Sequence, residues 1–137
     1  MFVESTCRLT DAAVMEMLRA GIAEADNLGQ PQCIVIVDSS GETLGQFRMS
    51  GAKFLSLKSA RTKARTAASI GVETVNIPDT VAPAIAAATG GDVTALPGGL
   101  PIIVGEVLLG GIGVGSGSGD QDRQVAIAAL TAIAAKV

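Results

Sequence analysis

The stretch from Leu96 to Asp122, LPGGLPIIVGEVLLGGIGVGSGSGDQD, constrains the fold of this chain more than any other segment. It predicts a short apolar strand over 101–104, a tight turn at 105–106 and a returning strand over 107–114. Glycines in the second strand leave room for another backbone or a ligand to come close. The stretch therefore predicts an antiparallel hairpin whose second strand another backbone or a ligand can approach closely.

A glycine and serine run over 115–119 follows the hairpin and ends at Asp120, which we expect to be the N-cap of a helix. A helix start with free N–H groups can hold a carboxylate or a phosphate, although such a run also serves simply to reverse the chain. No Walker lysine follows, and a hairpin precedes the helix instead of a strand–helix crossover. The run therefore indicates neither a P-loop nor a Rossmann dinucleotide site.

The composition predicts one apolar domain, over residues 1–137, that self-associates. Hydrophobic residues make up 48% of the chain, yet it has no Trp, no Tyr and only three Phe. The core must therefore consist of Ala, Val, Ile and Leu. Glycine or charge interrupts each apolar window well before the roughly 20 residues that a membrane span needs. We therefore expect no membrane span and a buried interface between copies of the chain.

The net charge, the first residues and the cysteines indicate which partners and which cellular compartment to expect. The net charge is −3, and no basic tract alternates with aromatic residues, so the chain does not have the pattern of a nucleic-acid-binding protein. The first residues, MFVESTCRLTDA, lack the pattern of a signal peptide, so we expect a cytoplasmic protein. Cys7 and Cys33 are then expected to be two reduced thiols.

The remaining segments predict an α+β fold in which an antiparallel sheet is flanked by helices. Thr10 caps the first helix, and the central strand is the continuous β-branched run CIVIV. The predicted elements are helix 11–28, strands 33–37 and 43–49, helices 53–70 and 80–89, the hairpin described above, and helix 120–135.

Helix 53–70 has two different sides. A stripe of alanines permits close packing, whereas Lys58, Arg61 and Arg65 form an opposite side that we expect to be solvated. Lys63 lies at the edge of the stripe. It can either reach a substrate carboxylate or pair with an acid across a subunit boundary.

Three further side chains each have a structural and a functional interpretation. Arg48 can bind a carboxylate through two hydrogen bonds or lie at a surface or interface. Asp122 can interact with the dipole of the last helix or act as a general acid or base over the glycine run. Asp38 is expected to form the turn between the first two strands. Without a histidine, the serines of the run cannot form a standard hydrolase triad.

Four segments in order resemble the GlcG/HbpS-like family, which includes the C-terminal domain of PduO-type cobalamin adenosyltransferases. They are IVIVDSSGETLGQFRM, ARTKARTA, GGLPI and GGIGVGSGSGDQD, and the resemblance spans residues 9 to 135. It implies a profilin-like or roadblock-like sandwich that assembles into oligomers from a dimer to an octamer. It also places Lys63 and Thr66 on the family pattern. It also implies haem or corrinoid-related ligands in some members.

This chain departs from that pattern because it has no His and no Tyr, the strongest candidates for haem ligation. Only sulfur atoms remain as axial ligands, and no metal site is expected. The sulfur candidates are Met1, Cys7, Met15, Met17, Cys33 and Met49.

Two functions remain open. The first is an oligomeric protein that binds a tetrapyrrole or a small carboxylate in a pocket between loop 90–99, the strand exit 113–119 and the Lys63 helix of the same or a neighbouring subunit. The second is a small catabolic enzyme, a lyase, isomerase or deaminase that acts on a carboxylate-bearing compound. In that enzyme Lys63 and Arg48 bind the carboxylate, and Asp122 or, as the alternative, Asp38 moves a proton. The candidate ligand-binding residues are Arg48, Lys63, Thr66, Gly98, Gly99, Gly115 and Ser116.

Overall fold

A computed structural model describes residues 1–137 and shows one antiparallel sheet of four strands in the order β2-β1-β4-β3. The predicted α+β class, an antiparallel sheet flanked by helices, is confirmed. The strands are β1 (Cys33–Asp38), β2 (Thr43–Arg48), β3 (Gly99–Val104) and β4 (Val107–Gly115). The helices are α1 (Asp11–Leu28), α2 (Leu55–Ile70), α3 (Ala82–Ala88) and α4 (Gly119–Ala132), with a single 3₁₀ turn at Thr74–Asn76.

The two faces of the sheet carry different cores. Ile34 and Ile36 of β1 belong to the larger core, together with residues of α1 and α4. Cys33, Val35 and Val37 point to the other face, where they pack against the alanines of α2. Because β1 is covered on both faces, its sequence is a continuous apolar run instead of an alternating one.

Glycines in β4 let α2 lie unusually close to the sheet. A Cβ atom on Gly113 would overlap the carbonyl oxygen of Ala60 and lie 2.6 Å from the nitrogen of Ala64. A Cβ on Gly111 would overlap the carbonyl oxygen of Ala64 in the same way. The alternating glycines of the hairpin therefore serve the packing of a helix of the same chain.

The observed helix caps agree with the sequence prediction for α1 and differ from it for α4. The bounds of α1 and its Thr10 cap are confirmed, since Thr10 Oγ1 accepts a hydrogen bond from the Ala13 N–H. The predicted cap at Asp120 is wrong. Ser118 caps α4, and a reciprocal hydrogen-bond pair with Gln121 starts the helix at Gly119.

The other bounds differ by a few residues. Helix α2 begins at Leu55 instead of residue 53, α3 is shorter than the predicted 80–89, and α4 ends at Ala132 instead of residue 135. Strand β3 begins at Gly99, two residues early, because its pairing with β4 continues to Gly113. Both cysteines are free thiols, as predicted. No helix combines the length and apolarity needed to cross a bilayer.

A buried ion pair beneath a polar pocket as the candidate functional site

Lys63 and Asp122 form a buried ion pair where α2, α4 and the end of β4 meet. Lys63 Nζ lies 2.9 Å from Asp122 Oδ2 and donates a second hydrogen bond to the Val114 carbonyl at 2.8 Å. The two side chains are only 6% and 4% exposed. Of the two interpretations of Lys63 left open by the sequence, the structure shows pairing with an acid, but this acid belongs to the same chain and does not lie across a subunit boundary.

Both carboxylate oxygens of Asp122 are engaged. Oδ1 accepts a hydrogen bond from the Gly117 N–H at 3.0 Å. The hydrogen-bonding pattern also orients the buried Gln32 amide so that its nitrogen donates to Asp122 Oδ1 at 2.6 Å and to the Gly115 carbonyl at 3.2 Å. Burial raises the pKa of Asp122 above its ordinary value, and the hydrogen bonds from Lys63 and Gly117 oppose that increase.

A polar pocket of about 270 Å³ opens above this pair. It lies between the loop before β3, the exit of β4 and helix α2, the three segments expected from the sequence to surround a pocket. Lys53, which also lines it, forms no ion pair. The lining residues are Lys53, Ser56, Ser59, Lys63, Leu96, Pro97, Ser116, Gly117, Gly119 and Asp122.

Gly98, Gly99 and Gly115 are not among the residues that line the pocket. A Cβ on Gly98, whose φ is +108°, would lie 2.8 Å from Asp122 Cβ and 3.3 Å from Lys63 Nζ. At Gly115 it would lie 3.0 Å from the Ser56 carbonyl oxygen. These glycines provide space for the ion pair and for α2, and their contact with a ligand stays a prediction.

The structure places Thr66 and Arg48 away from the pocket lining. The buried Thr66 hydroxyl donates to the Thr62 carbonyl at 2.8 Å and accepts from the Thr94 N–H at 3.1 Å, so it ties the loop before β3 to α2. Arg48 is exposed on the edge strand β2, where it lies opposite Cys33. Of the predicted site residues, only Lys63, Asp122 and Ser116 line one cavity.

Sequence reasoning missed Lys53, Ser56, Ser59 and Gln32. Ser56, Ser59 and Lys63 are spaced three and four residues apart, so they lie on one flank of α2. That spacing was a usable signal. Gln32 gave none, because nothing local to it distinguishes a buried amide from an exposed one.

Arg65 lies at a second polar depression, of about 300 Å³, near the turn between β1 and β2. The prediction of a solvated side chain is wrong for Arg65, whose guanidinium donates to the Gly41 carbonyl at 3.2 Å and lies 3.6 Å from Asp92. Lys58 and Arg61 are exposed, as predicted. Asp38 forms the turn as expected, because its Oδ1 accepts hydrogen bonds from two N–H groups of that turn.

The sulfur atoms of the chain do not fit an axial ligand for haem in this pocket, because none of them lines it. The Met49 sulfur accepts a hydrogen bond from the Gln32 N–H, and Met17 is fully buried in the core. Cys33 is buried in the central strand, and burial raises the pKa of its thiol. Met1, Cys7 and Met15 are exposed elsewhere on the molecule.

Solved structures resemble this chain over nearly its whole length, whereas no curated protein sequence matches it. The crystal structure of a PduOC:haem complex has 29% identity and a TM-score of 0.88, with 95% of this chain and 98% of that chain covered. The crystal structure of Klebsiella pneumoniae protein ORFY has 28% identity and a TM-score of 0.91, with 100% of this chain and 99% of that chain covered. The crystal structure of an HbpS double mutant from Streptomyces reticuli has 32% identity and a TM-score of 0.84, with 94% of this chain and 89% of that chain covered. Residues 9–131 match the family described as haem degrading protein HbpS-like, and the chain belongs to that family.

Proposed function

We propose that this protein binds a small carboxylate in the polar pocket above the Lys63–Asp122 pair. The observation that carries the proposal is the charge balance of the lining. Asp122 is the only acid there, and Lys63 neutralises it, whereas Lys53 has no acidic partner. The hydroxyls of Ser56 and Ser116 add hydrogen-bond donors beside this unpaired cation. A pocket with excess positive charge and several donors favours an anion with acceptor oxygens.

The geometry favours binding over acid–base catalysis by Asp122. A general acid or base needs an oxygen within reach of the substrate, and both Asp122 oxygens are already hydrogen-bonded inside the protein. Lys63 likewise directs its ammonium at Asp122 and at the Val114 carbonyl. Turnover assays on each bound carboxylate test the enzymatic alternative, and we expect no conversion.

Calorimetric titration with acetate, lactate and benzoate, each compared with its neutral amide, tests the proposed binding. We expect at least one carboxylate to bind and its amide to bind much more weakly, because the amide lacks the charge that Lys53 attracts. Lys53→Met should weaken binding about tenfold or more, the usual effect of losing a charge-assisted hydrogen bond. Lys58→Met is the matched control, since Lys58 is an exposed lysine in the first turn of α2 and lies outside the pocket. Equal affinity for acid and amide, or equal losses in the two variants, would refute the proposal.

Haem is the second candidate, favoured by the likeness to the PduOC:haem complex. Because His and Tyr are absent and no sulfur lines the pocket, we expect only weak association without iron ligation. A titration with haem should therefore show a broad Soret band. A sharp low-spin band with submicromolar affinity, retained in Met49→Ala and Cys33→Ala, would contradict this account.

Exposed apolar surface supports the proposal that the binding protein is a homo-oligomer. Helix α3 has the sequence APAIAAA and no buried residue. Phe54 and Leu55 at the start of α2 are also exposed. Burying such side chains between copies is favourable because it removes apolar area from water. Light scattering behind size exclusion tests this, and a monomer at micromolar concentration would contradict it.

A further inference from the structure

Ser116 has a backbone conformation that L-residues rarely adopt. Its φ is +85°, and Ala134 is the only other non-glycine residue with positive φ. Glycine adopts this conformation without the clash between Cβ and backbone, and glycine flanks Ser116 on both sides. A side chain at this position therefore has a conformational cost that the neighbouring glycines do not have.

The protein holds Ser116 from two directions. Its hydroxyl oxygen accepts a hydrogen bond from the Lys53 N–H at 3.0 Å. Its carbonyl oxygen accepts one from the Gln30 side chain at 2.9 Å. These contacts orient both the backbone and the side chain of a residue that lines the polar pocket.

The hydroxyl hydrogen of Ser116 remains available to a ligand. Because the Lys53 N–H points at the hydroxyl oxygen, the O–H bond must point in another direction. The Ser116 hydroxyl donates to no acceptor of the protein. Lys53 also lines this cavity, so a lysine without an acidic partner and a free O–H donor belong to one pocket.

We propose that Ser116 is a specificity-determining contact of this pocket and donates its hydroxyl hydrogen to an oxygen of the bound carboxylate. This inference rests on the proposed carboxylate-binding function and assigns one ligand oxygen to Ser116 beside the Lys53 ammonium. Its strained backbone then has a role that glycine cannot fill, because only a side chain supplies the hydroxyl.

The test uses benzoate, calorimetry and thermal melting on Ser116→Gly, Ser116→Ala and Ala134→Gly. We expect both Ser116 variants to bind benzoate about tenfold more weakly, because each loses a hydrogen bond to a charged group. Ser116→Gly should melt above Ser116→Ala, because glycine relieves the positive φ and alanine does not. Ala134→Gly is the matched backbone control, since it relieves positive φ far along the chain and should leave benzoate affinity unchanged.

An amide chemical-shift titration of the wild-type protein with benzoate gives a measurement that does not depend on how the variants fold. We expect shifts at Ser116 and Gly117 and none at Gly105 in the hairpin turn. Two results would overturn the role of Ser116 and leave the proposed function standing. The first is that the Ser116 and Gly117 amides do not shift. The second is that Ser116→Gly binds benzoate as tightly as wild type while Lys53→Met loses binding. If wild-type protein binds none of acetate, lactate and benzoate, the proposed function and this inference both fail.

Discussion

Lys63 and Asp122 are the only charged side chains that the fold buries. Replacing Lys63 by Met keeps most of the aliphatic stem but leaves the Asp122 carboxylate without its cation. Removing one partner of a buried pair costs about 3–5 kcal/mol. We therefore expect Lys63→Met to lower the free energy of unfolding by about that amount at neutral pH, measured by urea denaturation.

The same variant should have a distinctive pH dependence. Burial raises the pKa of Asp122, and losing the Lys63 ammonium removes an interaction that opposes the increase. The folded state then binds a proton more readily than the unfolded state, so folding stability rises as the pH falls. The stability deficit of Lys63→Met relative to wild type should therefore shrink on acidification.

Combining Lys63→Met with Asp122→Asn should recover part of the lost unfolding free energy at neutral pH, and Lys58→Met should change it little. A Lys63→Met protein as stable as wild type would contradict this account of the pair.

At the scale of elements, the contact between α2 and β4 depends on glycine. Gly113→Ala places a Cβ atom where the Ala60 carbonyl oxygen now lies, so α2 must move off the sheet. Overpacking of this kind costs about 1–3 kcal/mol and sometimes more. Urea denaturation should show that loss, and the shift of α2 should also distort the pocket that its side chains line.

Gly105→Asn is the control for Gly113→Ala. A Cβ at Gly105 would meet nothing within 4 Å, so only its positive φ matters, and Asn tolerates that conformation. We expect Gly105→Asn to lose less stability than Gly113→Ala. The reverse order would show that α2 does not pack on β4 as closely as described.

The ion pair between Glu73 and Arg123 joins the segment after α2 to α4. Two hydrogen bonds, at 2.7 and 3.0 Å, connect the carboxylate and the guanidinium. They lower the pKa of Glu73, so the stabilisation is present above the ordinary pKa and is lost as the pH falls through the lowered one.

Because the pair is partly exposed, we expect it to contribute at most about 1 kcal/mol. Glu73→Gln should be less stable than wild type at neutral pH, and the difference should vanish on acidification, measured by thermal melting across pH. Glu106→Gln at the exposed hairpin turn is the control and should show no such difference. A deficit for Glu73→Gln that persists in acid would exclude the ion pair as its cause.

At the scale of the whole molecule, the two thiols should report different events. Cys7 is exposed, whereas Cys33 lies in the central strand between two helical layers, and burial raises the pKa of its thiol. An aromatic disulfide reagent should therefore modify one thiol rapidly, and Cys33 only when the sheet opens. Cys7→Ser should abolish the fast phase alone. Rapid modification of Cys33 in the folded protein would mean that α2 leaves the sheet readily.

Local patterns in the sequence determined the elements, their order and the family. Hydrophobic periodicity and the Thr10 cap depend on residues a few positions apart, so they predicted α1 and the four strands closely. The cap of α4 was assigned to the wrong residue, because Ser118 and Asp120 are both good caps and only the reciprocal bonds with Gln121 select Ser118.

Only the tertiary structure decided which residues share the candidate site. Lys63 and Asp122 are 59 residues apart, and the packing of α2 and α4 around the end of β4 brings them to 2.9 Å. The same packing adds Lys53 and leaves Arg48, on the edge strand β2, outside the pocket lining. The sequence indicated that Lys63 and Arg48 could each bind a carboxylate. A cation is free to bind a ligand only if the fold places no acid beside it. Distances in the folded structure determine which acids lie near a cation, and spacing along the chain does not.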